Sequence, residues 1–118
     1  MDEIVEFDAA ELLDYLGGDP AFAAEMIDLF FEDTAKSAAG IKAAAAAQNN
    51  DEIAEHAHAL KGNAANIRAK RFREFVQLLE DAAKQRGAEL PELLQRLDAE
   101  YARISEVLRG WQKGARGA

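Results

Sequence analysis

Apolar residues recur along this chain at intervals of three and four, with charged residues between them, which is the period of an amphipathic helix. The pattern falls into five segments. Asp8 begins the first: it can cap a helix, Glu11 stands three positions later as in a capping box, and Leu12, Leu13 and Leu16 supply the buried side. Gly17-Gly18 ends it. Asp19-Pro20 starts a second helix, with aspartate as cap and proline in the first turn. It runs to about Ala47, with Ala23, Ile27, Phe30, Thr34 and Ile41 along one side. Gly40 is a weak point within it, and the alanine run from Ala43 to Ala47 suits close packing. Gln48-Asn49-Asn50 makes the turn. The third helix, from about Asp51 to Ile67, has a stripe of Ile53, Ala57, Leu60, Ala64 and Ile67. The fourth, from about Ala69 to Arg86, buries Phe72, Phe75, Val76, Leu79 and Ala83, and Gly87 closes it. Pro91 opens the fifth, which buries Leu93, Leu94, Leu97, Tyr101, Ile104 and Leu108, with Trp111 at its end.

No strand pattern and no internal repeat is present. Long second to fifth helices joined by short connections predict an all-α fold: an antiparallel four-helix bundle with a short additional N-terminal helix across one end. Residues 1–113 form a single domain in this reading, and residues 114–118 a disordered tail. A chain of 118 residues can bury a core without staples, and with no cysteine neither a disulfide nor a thiolate metal site is available. The net charge of −8 argues against nucleic-acid binding, which calls for a basic surface. Met1-Asp2-Glu3 lacks the basic region of a signal peptide, and no apolar run is long enough to span a bilayer. A cytoplasmic protein without membrane insertion is expected.

The third helix carries the candidate chemistry. At about 100° per residue its five stripe residues fall within about 80° of arc, and His58 lies about 140° from their middle, facing solvent. Ala54, Gly62 and Ala65 share its surface one and two turns away and are too small to shield it. Lys61, at i+3, sets a cation beside it. An exposed imidazole, a cleared surface and one adjacent positive charge suit acceptance of a phosphoryl group from another protein, since neutral imidazole is a competent nucleophile.

The run His58-Ala59-Leu60-Lys61-Gly62 resembles the H-x-L-K-G signature of histidine-containing phosphotransfer (HPt) domains, helical bundles with this motif on the second helix of a four-helix bundle. The resemblance covers most of the chain as architecture and residues 54–80 in residue identity. It implies that His58 is the phosphoacceptor, that Lys61 pairs with the phosphoryl oxygens and that Gly62 lets a partner approach closely. Ala54, Glu55 and Ala65 then face that partner, and Asn63 stands where the family often has a small or polar residue. The family usually has glycine ten residues after the histidine, where this chain has Arg68, followed by the small Ala69. A helix continued that far puts Arg68 on the side of Lys61, to add positive charge or to contact the partner.

The resemblance further implies a phosphocarrier and not a self-sufficient enzyme. His58 takes a phosphoryl group from a receiver-domain aspartate, and sometimes from a sensor histidine kinase, and passes it to another receiver in a two-component phosphorelay. The chain needs no cofactor of its own; a magnesium ion is expected in the partner receiver. Two other classes compete: a helical interaction module without phosphotransfer, and the phosphorylatable domain of a chemotaxis-type kinase. The chain has no nucleotide-binding signature, so in the latter case the ATP site lies elsewhere.

Other features have plainer readings. His56 points to a different side from His58 and is expected to be half-buried and structural. Glu55-His56-Ala57-His58 reads as E-x-x-H, but a di-iron bundle needs a second such motif and no other histidine exists. Glu55 stands within reach of His58 as a hydrogen-bond partner. Lys61, Arg68, Lys70, Arg71 and Arg73 form a basic cluster that is either a solvated face or a means of steering toward an acidic receiver. Phe22, Met26 and Leu29 lie beside the core line of the second helix. They either bury the first helix, the favoured reading, or form an apolar docking patch beside the histidine helix.

Overall fold

Each of the first three helices starts where a side chain takes over an orphaned amide. Asp8 accepts from Glu11 N at 3.0 Å, Asp19 from Phe22 N at 3.2 Å and Asn49 from Glu52 N at 3.1 Å. In the computed structural model, which describes residues 5–117, these caps open α1 (Ala9–Tyr15), α2 (Pro20–Ala46) and α3 (Asn50–Asn66). Next come α4 (Lys70–Gln85) and α5 (Leu90–Gly117), and no strand occurs among the described residues. None of these helices is long and apolar enough to cross a membrane.

The ends of α2, α3 and α4 share one device. Gln48, Arg68 and Arg86 adopt left-handed conformations with φ of 56°, 63° and 52°. The amide that follows each reaches back into the last turn: Asn49 N to Ala44 O, Ala69 N to Ala64 O, and Gly87 N to Ala82 O, each at 2.9 Å. None of the three left-handed residues is a glycine. Gly87 closes α4 by donating its amide, one residue after the reversal.

The long helices pack as a ring, α2 against α3 and α5, and α4 against α3 and α5, with no close backbone approach across either diagonal. The described chain is thus the expected four-helix bundle. Its core holds Ile27, Ile41, Ile53, Leu60, Leu79, Leu97, Ile104 and Leu108 around Phe72. The Phe72 ring lies 6.2 Å from Phe30, edge to face, and 6.2 Å from Tyr101. The α1 helix buries Leu12 in this core, and Phe7 meets the edge of Trp111 at 5.6 Å.

Two expectations are corrected here. The α5 helix runs through Gly117, so the tail expected from Gly114 is helix; Met1 to Ile4 and Ala118 lie outside the described residues. The reason is a clamp. Buried Gln112 donates to Ala24 O and to Asp28 Oδ1, each at 2.9 Å, and Arg116 pairs with Asp28. Second, α1 does not cover Phe22 and Leu29, which remain 44% and 51% exposed, while Met26 is half-buried. Met26 and Leu29 instead line a shallow groove of about 100 Å³ with Asn63 and Asn66 of α3 and Ile67 just beyond it.

Candidate functional site

The α3 stripe Ile53, Ala57, Leu60, Ala64 and Ile67 is fully buried, which fixes the rotation of the helix and turns His58 outward, its side chain 69% exposed. Opposite lies α4, running antiparallel. His58 meets Glu80 and Lys61 meets Gln77, a register that sets Ala54 opposite Lys84 and Ala65 opposite Arg73. Two stripes therefore face each other: His58, Lys61 and Ala65 on α3, and Arg73, Gln77, Glu80 and Lys84 on α4.

Glu80 organises this surface. It is 1% exposed, a carboxylate set within the apolar side of α4 between Leu79 and Ala83. His58 Nδ1 lies 3.1 Å from its Oε2, Lys84 Nζ 2.8 Å from the same oxygen, and Lys61 Nζ 2.9 Å from Oε1. Lys61 also donates to Gln77 Oε1 at 3.0 Å, and Gln77 donates on to Asp81 at 2.9 Å. Burial by itself pushes the Glu80 carboxyl up, but hydrogen bonds from Lys84, Lys61 and His58, with the charge of Lys61, outweigh it and hold the pKa at about 2. Glu80 in turn holds Lys84 above the ordinary lysine range, chiefly through their hydrogen bond.

This network settles the histidine tautomer. An ionised carboxylate only accepts, so Nδ1 of a neutral His58 carries the proton and donates a hydrogen bond to Glu80. The lone pair is left on Nε2, at the far side of an exposed ring. The partner of His58 is thus Glu80 and not Glu55, although exposed Glu55 shares with it a shallow pocket of about 500 Å³, lined also by Asp51, Ala54, Glu80 and Lys84. Sequence reasoning passed over Glu80. The available signal was an acidic residue on the apolar face of α4, one turn after Val76.

The other candidate residues divide. Gly62 is exposed, and a Cβ built on it meets nothing within 4 Å. Ala65 is half-buried. Ala54 is not the bare surface residue expected: it is 7% exposed and lies at the floor of the pocket it shares with His58 and Lys84. Arg68 does not join Lys61. The helix stops at Asn66, and the left-handed turn swings Arg68 to Glu11 at 3.3 Å and over the Tyr15 ring at 4.6 Å. His56 is half-buried and lies over Gly40: a Cβ there would come within 2.6 Å of its ring. Among the described residues no group of three or more His, Cys, Asp or Glu side chains is placed to hold a metal ion.

The basic cluster is mostly neutralised within the chain. Lys61 pairs with Glu80, Arg68 with Glu11, and Lys70 with Glu11 at 2.7 Å and Asp8 at 3.4 Å. Arg71 lies 3.9 Å from Glu6. Arg73 is exposed and has no carboxylate partner among the described residues.

A family model described as the Hpt domain matches residues 25–107. The match runs from α2 into α5, takes in His58 and Glu80, and leaves α1 outside. No curated protein and no solved structure matches the chain.

Proposed function

The chain belongs to the Hpt domain family and is a histidine phosphotransfer module of two-component signalling; from that premise we propose that His58 is its phosphoacceptor, loaded by a phospho-aspartate of one receiver domain and discharged to another. The observation that carries this reading is the His58–Glu80 contact at 3.1 Å on an otherwise uncovered ring. Nε2 attacks the phosphorus, the P–N bond forms as the P–O bond breaks, and the electron pair returns to the aspartate. The ring becomes cationic with its proton still on Nδ1. Glu80 is already in place against that charge, so no proton moves and little reorganises. Return of the phosphoryl group to a second aspartate reverses each step.

Lys61 and Lys84 keep Glu80 ionised, and Lys84, the more exposed of the two cations, is the one open to a phosphoryl dianion. That role for Lys61 is less direct than a phosphoryl contact, since its ammonium group is committed to Glu80 and Gln77. Gly62 and Ala65 keep the approach low, Glu55 edges it, and Phe22, Met26 and Leu29 offer apolar contact to a receiver on the α2 side. Ala54 acts as floor and not as contact, and Arg68 acts through α1 and not on the partner. In this reading magnesium, the acceptor aspartate and most of the active site come with the receiver, and the chain works in the cytoplasm as a carrier.

The test is His58→Gln, incubated with a phosphorylated receiver and examined by mass spectrometry without acid. Phosphate uptake is expected to vanish while the helical circular dichroism stays as in wild type. Continued labelling of the variant would sink the assignment.

A further inference from the structure

A partner that reaches His58 must pass over the α3–α4 face, and that face is not symmetric about the histidine. Toward the start of α3 the surface carries Asp51 and Glu55, both exposed and both lining the pocket of His58. Toward the end of α3 it carries Gly62 and Ala65 and then opens into a cleft of about 670 Å³. That cleft is lined by Ala64, Ala65 and Ala69 at its floor, by Arg73 and Glu74 from α4, and by Arg68 and Lys70, which are paired there with Glu11. The lane from His58 to Ala65 is seven residues of helix, about 10 Å long at 1.5 Å per residue; Lys61 within it is drawn aside onto Glu80 and Gln77 of α4, which leaves Gly62 and Ala65 as its small residues. At its far end, opposite Ala65, is Arg73.

Arg73 differs from its basic neighbours. Lys61, Arg68, Lys70 and Arg71 each have a carboxylate of this chain within 4 Å, whereas Arg73 has none among the described residues. Glu74 shares the cleft but makes no ion pair with it. An exposed guanidinium keeps a planar fork of donors matched to a carboxylate. In a chain of net charge −8, an acidic partner is repelled over most of the surface, and an unpaired cation beside the bare lane is a place where that repulsion reverses.

Resting on the reading of His58 as phosphoacceptor, we infer that Arg73 is a partner-anchoring residue: it takes a carboxylate of the receiver domain about 10 Å from the phosphoryl site. Asp51 and Glu55, on the opposite side of His58, reject the reversed orientation. Arg73 and this acidic edge together set which way round a receiver sits, and so which receivers transfer efficiently. Arg73 touches no reacting atom, and its effect belongs to encounter and orientation.

The experiment compares wild type with Arg73→Ala, Arg73→Glu and Arg73→Lys. Lys113→Ala serves as a control that removes one positive charge from α5, the helix diagonal to α3. A panel of purified receiver domains, phosphorylated with acetyl phosphate, supplies the donor, and the fastest pair is used. Phosphoramidate supplies a second donor that needs no docking. For Arg73→Ala the KM for the receiver should rise roughly three- to tenfold with the rate at saturation unchanged, as for loss of a rim charge pair. The dependence on salt should flatten, Arg73→Glu should do more, and Arg73→Lys should recover part. Labelling by phosphoramidate should match wild type throughout. A KM and salt dependence for Arg73→Ala no different from those of Lys113→Ala overturns the anchor and leaves His58 untouched. Failure of wild type to take label from either donor overturns the phosphoacceptor itself and the anchor with it.

Discussion

At the scale of single residues, the site turns on two side chains of opposite kind, one buried and charged, the other absent. Glu80 is depressed from an ordinary carboxyl value of 4.5 to about 2, which corresponds to about 3 kcal/mol of stability. Because the folded value lies below the unfolded one, that contribution is complete above about pH 5 and is lost as pH falls from about 4.5 toward 2. Glu80→Gln keeps the shape and an acceptor but removes the charge. It should lower stability near neutral pH by roughly 1–3 kcal/mol, flatten the acid limb of the unfolding profile and slow labelling of His58 by phosphoramidate. Urea titrations from pH 2 to 7 read the first two effects, and an acid limb identical to wild type would remove Glu80 from this role. Gly62 shows the reverse logic. Nothing in the chain occupies the space a Cβ would take, so Gly62→Ala should raise stability by about 0.5–1 kcal/mol through helix propensity. If the space serves a receiver, the same change slows transfer from a receiver while leaving phosphoramidate labelling alone. Denaturation and transfer kinetics on one variant therefore move in opposite directions.

At the scale of helices, the sequence was legible where apolar spacing alone decides and opaque where a turn or a buried polar group does. The stripes of α2, α3 and α4, the caps Asp8 and Asp19 and the outward face of His58 all follow from period and cap chemistry. Glu80 was hidden because a charged residue in an apolar stripe is ordinarily assigned to the edge; only the register of α3 on α4 brings His58, Lys61 and Lys84 around it. Arg68 stands beside Lys61 only if the helix continues, and the helix stops at Asn66 ahead of a left-handed φ of 63°, a conformation glycine usually takes. The chain instead holds an arginine there, with Glu11, Tyr15 and the carbonyl of Asn66 at 2.9 Å restraining it. Gly40 read as a flaw in α2, yet it makes room for the ring of His56. Gly40→Ala should accordingly destabilise the native protein by about 1 kcal/mol, the overlap outweighing the gain in propensity. In a His56→Ala background the same change should stabilise by about 0.5–1 kcal/mol. Chemical denaturation of the four proteins of this double-mutant cycle checks the sign change, and equal effects in both backgrounds would exclude the contact.

For the molecule as a whole, the His58–Glu80 network is confined to one adjacent pair in the ring of four, and the remaining helices complete the core behind that pair. His58, Lys61, Gln77, Glu80 and Lys84 all belong to α3 and α4. The terminal elements attach elsewhere. Residues 6–15 join the bundle through Leu12 in the core, Phe7 on Trp111, and Glu6 on Arg103 at 2.6 Å. The C-terminal turns of α5 are clamped to α2 by Gln112 and Arg116. Stability and chemistry should therefore separate when an end is removed. Deleting residues 1–18 takes away α1 and exposes the core beneath Leu12. Burying one leucine is worth about 1.5–3 kcal/mol and an aromatic pair about 0.5–1.5 kcal/mol more. A loss of that size should appear as a lower midpoint in thermal and urea unfolding. The Glu80 network contains no residue from the deleted segment, so below the new midpoint phosphoramidate should label His58 at the wild-type rate. A slowed rate in protein that circular dichroism shows to be folded would mean that α1 reaches the site through the turn at Arg68, and that the α3–α4 pair is not the autonomous platform its geometry describes.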